Sequence, residues 1–100
     1  MSEHRFEGRL FAWDPEAPDS WVFVALPPEL SDEVDEEQTG PPRGFGSVRV
    51  EVGVGGTRWA TSLFPSGQLG TYVLPVKKAV RRAEALGAGD VVTVTLRVLG

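Results

Sequence analysis

The sequence predicts a mainly β fold: a six-stranded pseudo-twofold (split) β-barrel with two short α-helices. Three observations predict it, namely alternating apolar runs separated by Gly and Pro turns, a weak internal repeat, and a length of 100 residues that suits one domain. The single barrel domain is expected to span residues 1–100, with repeat halves at about 5–54 and 55–100. Because three strands with one apolar face cannot bury that face alone, two facing units would close a barrel.

The first half is predicted to contain three strands and a helix. In chain order these are a strand at 5–14, a strand at 21–26, a helix at 29–38 and a strand at 45–54. The strand at 21–26 is continuously apolar, as expected of a strand with both faces covered. The helix has Leu30 and Val34 one turn apart, and its acidic residues are expected to form a solvated face rather than a metal site. In the strand at 45–54, alternate valines are expected to face the core.

The second half is predicted to repeat this order. In chain order it contains a strand at 57–64, a strand at 70–74, a helix at 76–86 and a strand at 91–99. The helix has apolar residues at the spacing of one buried face: Val76, Ala79, Val80, Ala83 and Leu86. Gly87 and Gly89 are expected to supply the left-handed stop after this helix.

An internal repeat connects the two halves. A shift of 48 positions places Leu26–Pro27 on Leu74–Pro75 and Phe11–Ala12 on Trp59–Ala60 without a gap. Each half then continues into a helix, a Gly-containing turn and a Val-rich strand. The repeat unit is therefore strand, hairpin, strand, Leu-Pro, helix, turn and strand.

The composition excludes several kinds of chemistry. The chain has no Cys, which excludes a disulfide framework, a thiolate zinc site and a Cys nucleophile. Its one His, His4, lies in an N-terminus that is expected to fray. A catalytic triad and a multi-His metal site are therefore not expected, and no cofactor is predicted.

Charge and hydropathy limit the partners. The formal net charge is −4, and Lys and Arg supply most of the affinity of proteins for nucleic acid, so nucleic acid is an unlikely partner. No apolar run is long enough to span a membrane. We expect a cytoplasmic protein, a monomer rather than a dimer, whose partner is an unidentified small anion or another protein.

One group of residues predicts a binding site for an anion. Lys77, Lys78 and Arg81 lie near the start of the second helix, where free backbone N–H groups favour a negative group. With Ser62 or Tyr72 from the neighbouring hairpin, they are hypothesised to hold a phosphate or a carboxylate. The alternative is a solvated basic face that pairs with the acidic first helix.

Aromatic residues form a second candidate site: Phe11, Trp13, Trp21, Phe23, Trp59 and Tyr72. In one interpretation they line a cleft at one end of the barrel, where ligand sites are common. In the other, which is the more frequent arrangement, they plug the barrel. The sequence leaves both interpretations open.

Several segments resemble a small bacterial and archaeal barrel family known as domain-of-unknown-function family 1905. They are WVFVALP at 21–27, TSLFPSG at 61–67, LPVKKAVRR at 74–82 and GDVV at 89–92. This resemblance covers almost the whole chain, and it implies a split or pseudo-barrel of strands with no established activity. A weaker similarity connects residues 74–91 with the AbrB and MazE regulators, which form a barrel from two chains and bind DNA.

The sequence therefore favours a non-enzymatic binding or interaction module of uncharacterised role. One alternative is a DNA-binding transcriptional regulator of AbrB-like type that uses the basic face from Lys77 to Arg82. Against it, this chain is expected to hold both half-barrels, and its first helix is acidic. The other alternative is an unidentified enzyme, although no base, nucleophile or metal set can be assembled from these residues.

Overall fold

The computed structural model describes residues 3–17, 20–38 and 46–99. In these ranges the elements are β1 (Glu3–Arg9), β2 (Phe11–Ala12), β3 (Val22–Ala25), α1 (Pro28–Glu37), β4 (Val48–Val54), β5 (Thr57–Ser66), β6 (Thr71–Pro75), α2 (Lys78–Ala83) and β7 (Val91–Val98). The predicted mainly β class with two helices is confirmed. The predicted start of the strand at 45–54 lies partly outside the described residues.

The described strands form one antiparallel sheet in the order β1-β7-β4-β5-β6-β3-β2. β1 and β2 lie at opposite ends of this order, although only Leu10 separates them in the chain. The two edges must therefore approach each other, and the sheet is strongly curled into a half-barrel.

The sheet has seven strands where the sequence predicts six, because residues 5–14 divide at Leu10. The N–H of Leu10 donates to the carbonyl of Asp90 at 2.8 Å, and its own carbonyl accepts from the N–H of Gly89 at 2.8 Å. Beyond Leu10 the chain leaves β7 and pairs with β3 instead, where Phe11 lies opposite Phe23. One predicted strand therefore serves both edges of the sheet.

The hydrophobic core lies inside the curl. The inward faces of β4 and β7 are confirmed, since all their predicted core residues are buried: Val48, Val50, Val52, Val54, Val92, Val94, Leu96 and Val98. The strands opposite contribute Val24, Leu63 and Leu74, which are fully buried. A period of two in each strand is thus what divides core from surface.

The prediction that both faces of the strand at 21–26 are covered is wrong, because the face of β3 that points away from the core is partly open. Val22, Val24 and Leu26 are buried, whereas Trp21 is exposed and Phe23 is half-buried. An apolar run of this kind predicts two covered faces only if something packs on the second face. Here that face lines an open cleft.

Helix α1 packs on the sheet through Leu30 and Val34, as predicted. It is also joined to β6 by Ser31. The Oγ atom of Ser31 accepts a hydrogen bond from the N–H of Tyr72 at 3.0 Å and forms a second hydrogen bond with the hydroxyl of Thr71. Pro28 suits the first position of this helix, because the N–H group that proline lacks would have no partner within the helix there.

Helix α2 is shorter than predicted. It ends at Ala83, and Ala85 rather than Gly87 takes the left-handed conformation after it, with φ of 55°. Of the predicted stripe, Val76 and Val80 are buried, but Ala79 and Ala83 are exposed. The six-residue helix has fewer than two turns. Val76, which precedes it, and Val80 are fully buried, and Leu86, which follows it, packs against the core while partly exposed.

The prediction that the N-terminus frays around His4 is wrong, because this residue lies in a paired strand. The residue lies in β1 opposite Leu96, and only 11% of its side chain is exposed. Its Nε2 atom is hydrogen-bonded to Glu37, and its Nδ1 atom lies 3.5 Å from a carboxylate oxygen of Glu33. His4 thereby connects β1 to α1.

Candidate functional site

A pocket of about 490 Å³ lies beside the start of α2, and we call it the cationic pocket. Its walls are formed by Ser20, Trp21, Val22, Pro75, Val76, Lys77, Lys78 and Arg81. Three of the five predicted anion-site residues, Lys77, Lys78 and Arg81, therefore lie together. They do so because Pro75 ends β6 directly before the segment that carries them.

The position of this segment is fixed by the backbone and the core. The N–H of Val76 donates to the carbonyl of Val22 on β3 at 2.9 Å, and the side chains of Val76 and Val80 are buried. The Nε atom of Arg81 donates to the carbonyl of Val76 at 3.0 Å. The guanidinium is thereby held against the wall of the pocket.

The charge of the pocket is positive. Among the described residues, neither Lys77 nor Arg81 forms an ion pair with a carboxylate, so the predicted pairing of these two residues with the acidic helix α1 is not present. Because α2 has only six residues, attraction for an anion rests on side-chain charge and not on the end of the helix.

Ser62 and Tyr72, the other two predicted residues, do not line the cationic pocket. Ser62 lies on β5, and its Oγ accepts a hydrogen bond from Nη1 of Arg49 at 3.4 Å. Tyr72 is buried, and its hydroxyl donates to Asp35 while accepting from Nε2 of Gln38 at 3.2 Å. The prediction placed both residues in the neighbouring hairpin, but their side chains serve contacts within the sheet and with α1.

The environment of Tyr72 changes its acidity. Burial of the phenol, the hydrogen bond to Asp35 and the negative charge of that carboxylate together raise the pKa of Tyr72 to about 12. The hydroxyl therefore keeps its proton at neutral pH and remains a donor to Asp35. Tyr72 thus stabilises the contact between β6 and α1.

A second cavity, of about 770 Å³, lies next to the first, and we call it the aromatic cleft. It is lined by Trp13, Asp14, Ser20, Trp21, Phe23, Phe64, Pro65, Ser66, Gly67, Gln68 and Val73. Trp13 is 62% exposed and Trp21 is 66% exposed, so these two tryptophans line a cleft and do not plug the barrel. Trp59, by contrast, packs against the core.

Phe23 is the centre of the aromatic group. Its ring centroid lies 5.9 Å from that of Trp13, 6.0 Å from that of Trp21 and 6.1 Å from that of Phe11. The ring of Trp21 is stacked on Phe23, and the ring of Trp13 meets it edge to face. These are the favourable arrangements of aromatic pairs, and they hold both tryptophans in place without burying them.

The loop between β2 and β3 is held by its own hydrogen bonds. The N–H of Trp13 donates to the carbonyl of Trp21 at 2.8 Å, and the N–H of Asp14 donates to Oγ of Ser20 at 2.7 Å. Oδ1 of Asp14 accepts from the N–H of Glu16 at 3.0 Å, in the manner of an Asx turn. These bonds hold the described part of the loop, residues 13–17 and 20–21, around the two exposed tryptophans.

The cationic pocket and the aromatic cleft are contiguous. Both are lined by Ser20 and Trp21, so these two residues lie where the cavities meet. Sequence reasoning noted the tryptophans but missed Ser20 and Phe64 as lining residues. The signal that was present is the alternation of aromatic Trp21 and Phe23 with Val22 and Val24, which is consistent with both aromatic rings lying on the face away from the core.

Within residues 3–17, 20–38 and 46–99 no group of three or more His, Cys, Asp or Glu residues could hold a metal ion. Over the same ranges, no helix is long and apolar enough to cross a membrane.

Comparison with known proteins gives a family. The family model described as Domain of unknown function (DUF1905) matches residues 6–96, which confirms the resemblance inferred from the sequence. No curated protein matches the chain. The comparisons do not support the similarity to AbrB and MazE.

Proposed function

The chain belongs to the DUF1905 family, and we propose that it is a non-enzymatic binding module that holds a small anion in the cationic pocket. The observation that carries this proposal is the convergence of Lys77, Lys78 and Arg81 on one cavity. Two of these cations, Lys77 and Arg81, have no carboxylate partner among the described residues. A phosphate or carboxylate there would offset their charge.

We also propose that the two halves are related by a pseudo-twofold axis. In this symmetry β1 and β2 together correspond to β5, β3 corresponds to β6, and β4 corresponds to β7. The strand pairings support this symmetry. Exchange of the halves converts the β1–β7 pair into β5–β4 and the β2–β3 pair into β5–β6, and both resulting pairs exist. The β3–β6 and β4–β7 pairs are converted into themselves.

The registers indicate where the symmetry is broken. Phe11 lies opposite Phe23, and Ser66 lies opposite Thr71. Phe23 and Thr71 correspond at the repeat distance of 48 residues, so their partners Phe11 and Ser66 also correspond. The ungapped alignment instead predicts that Phe11 corresponds to Trp59. Twelve positions separate the first pair and five the second, so the first hairpin is longer by seven residues.

This asymmetry supports a binding role for the first hairpin. Its additional length forms the loop that contributes Ser20 and Trp21 to the walls of the cationic pocket. The second hairpin closes in a short turn at 67–70. The core needs only the short turn, so the longer loop serves the cavity beside it.

Chemical-shift mapping with inorganic phosphate tests the proposal on the full-length, ¹⁵N-labelled chain. We expect saturable amide shifts at 20–22 and 76–81 that disappear in the double variant Lys77→Ala, Arg81→Ala. Arg82→Ala is the matched control, because Arg82 lies on the same helix but does not line the pocket. Binding that is lost equally in the control, or no saturable shift at all, would remove the cationic pocket as the site.

Duplex DNA forms a second arm of the same experiment. The basic face from Lys77 to Arg82 is the part of this acidic chain that a DNA-binding regulator would use. We expect no shifts with a short duplex at moderate salt. Salt-sensitive shifts over the whole face, Arg82 included, would favour the regulator over the anion-binding module.

A further inference from the structure

We infer that the occupant of the cationic pocket is an aromatic anion, in which a planar ring lies in the aromatic cleft and an attached phosphate or carboxylate reaches the cations. This inference rests on the proposed function and specifies its ligand class. The two cavities are contiguous through Ser20 and Trp21. One molecule with two chemically different ends can therefore occupy both.

The aromatic cleft has the chemistry of a ring-binding surface. Two tryptophans are more than half exposed, and Phe64 adds a third exposed ring at 40%. Leaving such rings in water forgoes apolar burial, which a flat ligand recovers by stacking on them. The positions of the two tryptophans are already fixed by Phe23 and by the hydrogen bond between their backbones, so little ordering of these rings is needed on binding.

Charge determines the direction in which the ligand lies. Among the described residues, the charged one that lines the aromatic cleft is Asp14, whereas Lys77 and Arg81 line the adjoining pocket. An anionic group in the cleft would meet a carboxylate, and one in the cationic pocket would meet cations. The ring is therefore assigned to the cleft and the anion to the pocket.

The experiment compares three probes on the full-length chain: 1-naphthyl phosphate, 1-naphthol and inorganic phosphate. The first carries both parts, and the others carry one part each. Because ring stacking and charge act together only in the first, we expect it to bind at least about tenfold more tightly than either of the others. The affinities are measured by amide and indole N–H shifts, with Trp59 as the internal reference because it lies outside the cleft.

Variants separate this inference from the proposed function. Trp13→Ala changes a side chain that lines the aromatic cleft and not the cationic pocket, so it should remove most of the tenfold advantage while phosphate binding stays unchanged. Lys77→Ala with Arg81→Ala should weaken both phosphate-containing probes. Replacing phosphate by carboxylate, in 1-naphthoate, distinguishes the two anion types.

Three results would overturn the inference. If 1-naphthyl phosphate binds no more tightly than inorganic phosphate, the anion site stands but the ring has no place in the cleft. If 1-naphthol binds as tightly as 1-naphthyl phosphate, the cations contribute nothing to the ligand. If none of the three probes gives a saturable shift, the proposed function fails together with the inference.

Discussion

The hydroxyl of Tyr72 on β6 donates a hydrogen bond to the carboxylate of Asp35 on α1. Burial of the phenol and this contact raise the pKa of Tyr72 to about 12. The sequence has one tyrosine, so the ultraviolet absorbance of tyrosinate reports this group alone. We predict a titration midpoint near pH 12 for the folded protein and a lower midpoint for Asp35→Asn. A midpoint at the ordinary value of about 10 would contradict the buried contact.

The same pKa predicts a loss of stability at high pH. Above pH about 10 the unfolded chain releases the phenolic proton, whereas the folded protein keeps it until pH about 12. The unfolded state thus binds fewer protons in this window, and the free energy of unfolding falls as the pH rises. Urea denaturation at several pH values measures the slope. Tyr72→Phe should make this slope shallower, and an unchanged slope would assign the loss to other groups.

Gly8 on β1 closely approaches Val24 on β3. A Cβ atom added at Gly8 would lie 2.5 Å from Cγ2 of Val24, which is fully buried. Gly8→Ala is therefore predicted to lower the free energy of unfolding by about 1–3 kcal/mol, because overpacking a filled core costs this much. In a double-mutant cycle with Val24→Ala, the combined loss should be smaller than the sum of the single losses. Additive losses would show that the two sites are independent.

The alternation of apolar residues is what made most of the fold predictable. It located β4, β6 and β7 to within a few residues and fixed which valines of β4 and β7 face the core. The division at Leu10 was not predictable from this pattern, because the alternation continues through it while the hydrogen-bond partner changes from β7 to β3. The early end of α2, at Ala83 and not at residue 86, was not predictable either. Ala85 adopts a left-handed conformation after the helix, and no Gly marks this position in the sequence.

His4 contacts two carboxylates of unequal burial. Glu37 has 22% of its side chain exposed, and Glu33 has 61% exposed. Without the imidazole, Glu37 would keep a poorly solvated carboxylate with no partner, so His4→Ala is predicted to cost about 1–3 kcal/mol. Glu33→Ala should change stability by less than about 0.5 kcal/mol, because that side chain is mostly in water. Chemical denaturation of the two variants measures both effects, and equal losses would contradict this difference in burial.

The candidate site was predictable only in part. Lys77, Lys78 and Arg81 follow one another on a short segment, so their proximity could be inferred from local sequence. The positions of the Ser62 and Tyr72 side chains could not be inferred in this way, because they depend on side-chain direction. These side chains form hydrogen bonds with Arg49 and Asp35 and do not line the cationic pocket. The link between the cations and the tryptophans depends on how the first hairpin packs beside α2. That packing is a tertiary feature without a periodic signal in the sequence.

The location of a bound aromatic anion shows whether one ligand spans the cationic pocket and the aromatic cleft. Intermolecular nuclear Overhauser effects from the ring protons of 1-naphthyl phosphate identify the side chains that the ring touches in the full-length protein. We predict contacts with the indoles of Trp13 and Trp21, together with amide shifts at Lys77 and Arg81. Contacts with Trp59 instead, or saturable binding without any contact to Trp21, would contradict a ligand that spans the two cavities.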